Sequence, residues 1–477
     1  MPLILGAQSA VATGFSIDNS CRFNRGDSAD LQLTWGTPTL GTKYTFSFWL
    51  KRCQAGTIDW IMSTPGDWSS LWFTATDEFQ WAEYTGGYKY NLKTNRKFRD
   101  PSAWYHFCCR YDSTLGAAGD RQRLYINGVE ETSFATDTNP ALDHSSVLNS
   151  AVLHALASQQ GEGAANYADE YLSEVVFIDG SSLAPTSFGE FDEDSPTIWK
   201  PIDVSGLTFG NNGFYLDFED SANLGDDVSG EANNWTEANL TASDQGVDSP
   251  TNNFSTGNPL ANYYAGGTYT QGNCKWVSGG GGSTLYNVSN VGVTAGKWYV
   301  EVKMTTSATA MIGITDKEQP DSSEAMTQSN YAAAYKSNDG KYIVNAGSAT
   351  TYGDSYTTDD IVGIYIDLDN NKLYFGKNGT VQNSGTGITI TGISAMTSPA
   401  AGSQGCYFIG GTKDNGGSTF EYNFGGCSAF DVASANQDAN GYGNFEYSPS
   451  DGGSASFDGS AKDFLAICTK NLGSDGG

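Results

Sequence analysis

Residues 361–380 read IVGIYIDLDNNKLYFGKNGT, and their spacing predicts a β-hairpin together with its turn. Ile364, Ile366 and Leu368 fall on one face of an extended strand and Tyr365 and Asp367 on the other, because successive side chains of a strand alternate. Asp369, Asn370 and Asn371 tolerate left-handed turn geometry, and Leu373, Tyr374 and Phe375 open the return strand. Asn378-Gly379 closes the run. A pattern of this kind belongs in a β-sandwich.

Working outward, residues 123–131, RLYINGVEE, form a second hairpin pattern: Leu124 and Ile126 face one way, and Asn127-Gly128 is a strong two-residue turn signal. It follows WYHFCCRYD (104–112) and YTFSFWLKR (44–52), both strands of alternating large side chains. At 477 residues the chain exceeds one ordinary core, so two or three domains are expected. Aromatic residues at 13% and 58 glycines, with almost no helical periodicity, favour many short strands and turns. Residues 143–160 alone space apolar side chains as a helix could (Val147, Ala151, Leu153, Ala155); a loop carrying a strand is expected there. The expectation is an all-β chain of two antiparallel jelly-roll sandwiches, a loop-rich linker and a short C-terminal segment.

These motifs carry resemblances. The 361–380 run resembles the signature hairpin of SPRY domains, which implies a β-sandwich that binds through its loops. The segments within 15–200 resemble laminin-G and concanavalin A-like lectin sandwiches. The implied organisation is an apolar arm (1–14), a lectin-like sandwich (15–212), a connecting segment (213–254, with 213–220 as a candidate closing strand), a SPRY-like sandwich (255–430) and a C-terminal segment (431–477). Across the whole chain, IDNSCRFN (17–24), GFYLDFEDSANLGDD (213–227) and FLAICTKNL (464–472) resemble, in the same order, segments of bacteriophage virion proteins, many from marine phages. That likeness implies a tail fibre, head fibre or decoration protein. It implies other virion proteins and host surface glycans as partners, assembly in the host cytoplasm and exposure on the particle.

The charge is one-sided, with 54 acidic residues against 25 basic and a formal net charge of -29. Such a surface repels phosphate backbones and anionic lipid heads, so neither nucleic acid nor membrane is an expected partner. Solubility is the plain explanation; carboxylates gathered around calcium are the alternative, with no other cofactor implied. Eight cysteines over this length make no disulfide framework, and Cys108 and Cys109 point to opposite faces of one strand, so buried thiols are expected. The start, MPLILGAQSAVATG, has no Lys or Arg before its apolar core, so a secretory signal is not expected, and no run is long enough to span a bilayer.

Catalytic patterns are incomplete. Glu190, Asp192, Glu193 and Asp194 in GEFDED imitate the acid strand of laminarinase-type hydrolases, but Ser195 stands where the third acid is needed, and a solvated loop is expected. Asp367, Asp369 and Asn371 begin like a calcium loop, yet Lys372 replaces the glycine and Asn378 the closing glutamate. His106, His144 and His154 are too few for a multi-histidine metal site, and His106 reads as a packed strand residue. The glycine run in VSGGGGS (277–283) lacks the lysine and helix of a phosphate loop and reads as a turn. A non-enzymatic chain is expected; a polysaccharide depolymerase on the same fold and a secreted bacterial adhesin are the alternatives.

Binding remains. Trp60, Trp68, Trp72, Trp81, Tyr84, Tyr88 and Tyr90 crowd one region of the first sandwich. Trp68, Tyr84, Tyr88 and Tyr90 lie in turn-like stretches and are the candidate ligand-binding rings, for glycan or protein contact; Trp72 and Trp81 are expected in the core. Without heptads, collagen triplets or a solenoid repeat the chain builds no shaft. Residues 1–14 are therefore the candidate assembly anchor, through Leu3, Ile4, Leu5 and Val11. The expected state is a homo-oligomer, a trimer first, because phage fibres and decorations resembling it often are.

Overall fold

The alternation in residues 44–52 sets the centre of the first of two units. The computed structural model describes residues 14–66, 68–159, 167–261, 266–279, 284–306, 309–318, 320, 322–396, 403–414, 417–450 and 456–475, and the chain divides between Thr251 and Asn252. Leu3, Ile4, Leu5 and Val11, and the glycines at 280–282, lie outside the described residues.

In the first unit Lys43–Arg52 lies between Trp104–Asp112 and Glu170–Asp179. Gln122–Ile126 and Val129–Glu130 extend this sheet on one side, and Ser20–Phe23 and Gln245–Gly246 on the other. Phe214–Leu216 also pairs with Glu170–Asp179. The second sheet runs Phe134–Thr138, Tyr88–Lys97, Glu78–Tyr84, Trp68–Phe73, Asp59–Ser63, Leu153–Leu156, Asp30–Thr34, Thr236–Ala238. All these pairings are antiparallel.

Phe46, Phe48 and Leu50 point between the sheets and meet Leu71, Phe73, Phe79, Trp81 and Phe107. Full burial of an aliphatic or phenyl side chain contributes about 1.5–3 kcal/mol. Arg52 ends the same inward row and is buried, yet its guanidinium is satisfied by Asp59 at 2.6 Å, Asp77 at 3.2 Å and the Phe98 carbonyl at 2.7 Å. The outward residues of the first sheet are buried too, because residues 183–215 fold over them: Cys108, Val176, Ile178, Phe188, Val204, Phe209 and Tyr215 cluster there. Trp199 seals this cover. A Cβ at Gly128 or Gly189 would fall inside its ring, and Gly128 also needs its φ of 75° for the tight turn after Asn127.

Segment 213–254 is part of this unit, although its composition reads as a connecting loop. Its Asn and Asp side chains bond backbone instead of water: Asp227 accepts from the amides of Tyr215 and Asn233, both at 2.8 Å, and Asn233 Nδ2 donates to the Gly213 carbonyl at 2.7 Å. That satisfaction lets Phe214, Leu216 and Trp235 enter the core. Residues 143–160 hold a short 3-10 turn, Val147–Asn149, and the strand Leu153–Leu156.

The second unit contains the 361–380 hairpin. Ile361–Asp367 pairs with Lys372–Lys377 so that Tyr365 faces Tyr374, and Asn371 takes the left-handed φ of 55° at the turn. The sheet runs Thr268–Thr270, Lys275–Val277, Thr419–Asn423, Lys297–Thr306, Ile361–Asp367, Lys372–Lys377, Thr380–Val381. Ile388–Thr389 pairs with Lys372–Lys377, and Leu465–Ala466 runs parallel to Lys297–Thr306. Its partner sheet runs Leu285–Val288, Ser403–Asp414, Thr309–Lys317, Ala332–Lys336, Lys341–Val344, Thr350–Thr351. Ile364, Ile366 and Leu368 enter the core between the sheets. The outward Tyr365 is buried as well, against Tyr299, Phe457 and Phe464.

The C-terminal segment from 431 therefore covers the outside of this unit's first sheet. Glu301 holds it: its buried carboxylate accepts from the amides of Glu446 (3.0 Å) and Tyr447 (2.7 Å), from Asn423 Nδ2 (2.9 Å) and from the Tyr299 hydroxyl (3.0 Å). Burial pushes its pKa up to about 7 against the pull of those donors. The other sheet is covered in turn by Ala261, Ala325 and Met326, packed on Tyr286, Met311 and Phe408. Among the described residues the α-helix is Thr469–Asp475, and the fold is nearly all β. All eight cysteines are buried; Cys108 sits under the cover and Cys109 in the core.

Candidate functional site

Three of the four sheet faces that point away from a core are thus overlaid by the chain's own segments. The outer face of the second sheet in the first unit carries exposed and half-buried aromatic rings instead. Strand alternation places Trp60, Trp68, Trp72 and Tyr84 on it, with Leu71, Phe73, Phe79 and Trp81 on the inner side. Register lines them up across the sheet: Trp60 opposes Trp72, and Trp68 opposes Tyr84, which opposes Tyr88.

The rings touch in a continuous series. Trp60 stacks on Trp72, with centroids 5.2 Å apart and planes at 25°. Trp72 meets Trp68 edge-on at 5.6 Å, and Trp68 stacks on Tyr84 at 5.9 Å and 14°. Tyr88 closes the series edge-on to Tyr84 at 5.4 Å. Tyr84 keeps 39% and Tyr88 51% of its surface in water. The Trp60 indole N–H is buried without a hydrogen-bond partner among the described residues. The five rings, half-buried to exposed and set at angles to one another, form a rigid, amphipathic aromatic surface, here called the plate, of the kind on which the C–H face of a sugar ring stacks.

Of the four rings expected to bind, Trp68, Tyr84 and Tyr88 belong to the plate and Tyr90 does not. Glu83 opposes Tyr90 and Tyr84 opposes Tyr88, so Lys89 is an extra residue without a partner in the ladder. This bulge turns Tyr90 inward. Its hydroxyl is buried among Ser69 (2.7 Å), Ser146 (2.9 Å) and Tyr44 (3.3 Å), and burial raises its pKa far above the ordinary phenol range. Trp81 is in the core as expected; Trp72 is half-buried on the outside, because it shares parity with Trp68 along Trp68–Phe73. Two faces of equal hydrophobicity give alternation nothing to distinguish.

The catalytic candidates are engaged elsewhere. Gly189–Phe191 pairs with Trp199–Pro201, so Glu190 sits in a short strand and not in the solvated loop its composition implies; Glu190 and Asp192 both face Lys200, at 3.4 and 3.5 Å. Asp192 also caps the amides of Asp194 and Ser195. Asp367 takes Lys462 at 2.6 Å and Asn370, and Asp369 takes Lys297 at 2.6 Å. His106 accepts from the Trp199 indole at Nδ1 (3.0 Å), which leaves its proton on Nε2, donated to Ser47 at 2.8 Å. Burial lowers its pKa to about 3, so it stays neutral. His144 bonds Glu83 at 2.6 Å, and His154 stacks on Trp35 at 3.7 Å. Among the described residues no group of three His, Cys, Asp or Glu side chains is placed to hold a metal ion.

Residues 25–179 match the family model of the concanavalin A-like lectin/glucanases superfamily, and residues 297–402 match that of the SPRY domain. No curated protein matches the chain. Among solved structures, the chain is similar to the SPRY domain of human HERC1 at 16% identity, covering 33% of this chain and 89% of that one with a TM-score of 0.25. It is similar to the SAP-like pentraxin of Limulus polyphemus at 16% identity, 35% and 78% coverage and a TM-score of 0.27. A putative carbohydrate binding protein from Bacteroides ovatus is 14% identical, with 48% and 60% coverage and a TM-score of 0.35. None of these matches indicates a bacteriophage origin. The chain carries a concanavalin A-like lectin domain followed by a SPRY domain.

Proposed function

We propose that this chain is a non-enzymatic adhesion protein whose lectin-like domain holds glycan on the plate formed by Trp60, Trp68, Trp72, Tyr84 and Tyr88. The observation that carries the reading is the series of touching rings on the one sheet face that the described chain leaves open. The lectin-type family model supports carbohydrate as the ligand class. Glycan microarray binding by the full chain tests it: Trp72→Ala and Trp68→Ala should each abolish binding while a cooperative thermal unfolding transition is retained. Undiminished binding by both variants would overturn it.

The finer reading is a component exposed on a bacteriophage particle, assembled as a homo-oligomer, a trimer first, with other virion proteins as partners. It rests on the resemblance of residues 17–24, 213–227 and 464–472. Binding on the plate needs no metal, so chelation should leave it intact. Hydrolysis is not part of the function: Glu190→Gln should leave polysaccharide mixtures as unaltered as the parent protein does, and sugar release lost in that variant would contradict this. Deleting residues 1–14 should leave folded sandwiches that no longer incorporate into particles.

A further inference from the structure

The plate is bordered by an unusual pair of charges. The chain has 25 lysines and arginines among 54 acidic residues, so a carboxylate is seldom far from any cation. Most of the cations sit in ion pairs, such as Arg96 with Glu131, Lys97 with Glu78 and Arg99 with Asp77 on the 88–97 strand and just beyond it. The others bond carbonyls, hydroxyls or a ring, as Arg121 does with the Leu115 and Pro140 carbonyls. Lys89 and Lys93 are the two that have neither ion pair, hydrogen bond nor ring contact among the described residues. Both lie on the strand that flanks the plate.

Their positions follow from register. Trp60, Trp72, Gln80, Lys93 and Thr136 oppose one another across five adjacent strands. Strands lie about 4.8 Å apart, which puts Lys93 about 10 Å along the row from Trp72. The other row, Trp68, Tyr84 and Tyr88, leads to the bulged Lys89. Lys93, half-buried, thus lies on the first row two strands beyond Trp72, and Lys89, exposed, follows Tyr88 at the end of the second. Glu78, the outward carboxylate on these strands, is already held by Lys97 at 3.1 Å and by Thr76 at 2.6 Å.

We infer that the plate selects an anionic polysaccharide, one whose sugar rings stack on the tryptophans while a carboxylate or sulfate meets Lys93 or Lys89. The inference rests on the glycan-binding reading above and adds the charge of the ligand. Two ammonium groups suit a polymer of sugars with widely spaced charges. Single-stranded nucleic acid also stacks on aromatic rings, but it needs a cationic groove along every phosphate, and a net charge of -29 opposes it. Screening over about 8 Å at physiological ionic strength confines the contest to local charges, which here are the two lysines without ion pairs, Glu78 held by Lys97, and the exposed Asp137 on the neighbouring strand.

Calorimetric titration of the full chain with polyuronate oligosaccharides, a neutral glucan, polyglutamate and oligo-dT tests this. Polyuronate should bind most tightly, with an affinity that falls as sodium chloride is raised, and polyglutamate and oligo-dT should not bind. The double variant Lys89→Gln, Lys93→Gln should lose about ten-fold on polyuronate, the effect of two exposed ionic contacts, and nothing on the neutral glucan. Trp72→Ala should lose both glycans. Equal, salt-independent affinity for the neutral glucan, an unaffected double variant, or binding of oligo-dT would overturn the inference and leave ring stacking standing. Failure of every glycan to bind would overturn the glycan reading and this inference with it.

Discussion

One extra residue, Lys89, decides which tyrosines of the 84–90 run reach solvent. Without the bulge Tyr88 and Tyr90 would share a face; with it Tyr90 becomes the centre of a buried hydroxyl network with Ser69, Ser146 and Tyr44. Nothing in the local composition marks the bulge, which is why Tyr90 reads as a binding ring from sequence. Tyr90→Phe should leave glycan binding unchanged and cost about 1–3 kcal/mol in urea denaturation, since it strands the buried Ser69 hydroxyl, whereas Ser146 keeps Glu83. A second buried group makes a pH prediction. Glu174 stands at a strand bulge with φ of 49°, receives the Tyr215 hydroxyl at 2.6 Å, and burial lifts its pKa from 4.5 to about 8 with Asp217, Glu219 and Asp203 adding to the rise. Between those two values the unfolded chain has lost the proton and the folded one retains it, so stability falls as pH rises through that window. Glu174→Gln keeps an acceptor for Tyr215 and should flatten the fall by a few kcal/mol, read from denaturation midpoints at pH 5 and pH 9.

At the scale of elements, period-two alternation and turn residues made the hairpins legible. The 361–380 hairpin, the Asn127-Gly128 turn and the strands at 44–52 and 104–112 all form where the pattern places them. The covers were not legible. Residues 183–215 and the segment after 431 are rich in Gly, Asp and Ser, yet a few rings each, Trp199 in one and Phe457 and Phe464 in the other, dock them onto sheet faces. Docking depends on long-range shape that no local window contains. The tightest fit is at Gly128, where any Cβ meets the Trp199 ring and a φ of 75° disfavours a side chain. Gly128→Ala should destabilise the first unit by about 2–4 kcal/mol and raise amide exchange across residues 183–201, because the cover must lift to admit the methyl group.

For the whole molecule, two units with separate cores should unfold separately: fragments 1–251 and 252–477 should each fold, and the first should keep all glycan binding. The two-sandwich plan was legible in the sequence, as were three of the five rings of the plate. Trp60 and Trp72 were not placed there because inward and outward faces of these strands are equally aromatic, and only the covers elsewhere show which sheet face is left open. The central claim is that this face binds sugar through its rings. The most direct measurement is a glycan titration followed by tryptophan fluorescence in the full chain and in Trp72→Ala. Saturable quenching by glycan in the parent protein, abolished in Trp72→Ala while the fold is retained, is the expected result; quenching of equal affinity in the variant would contradict the account.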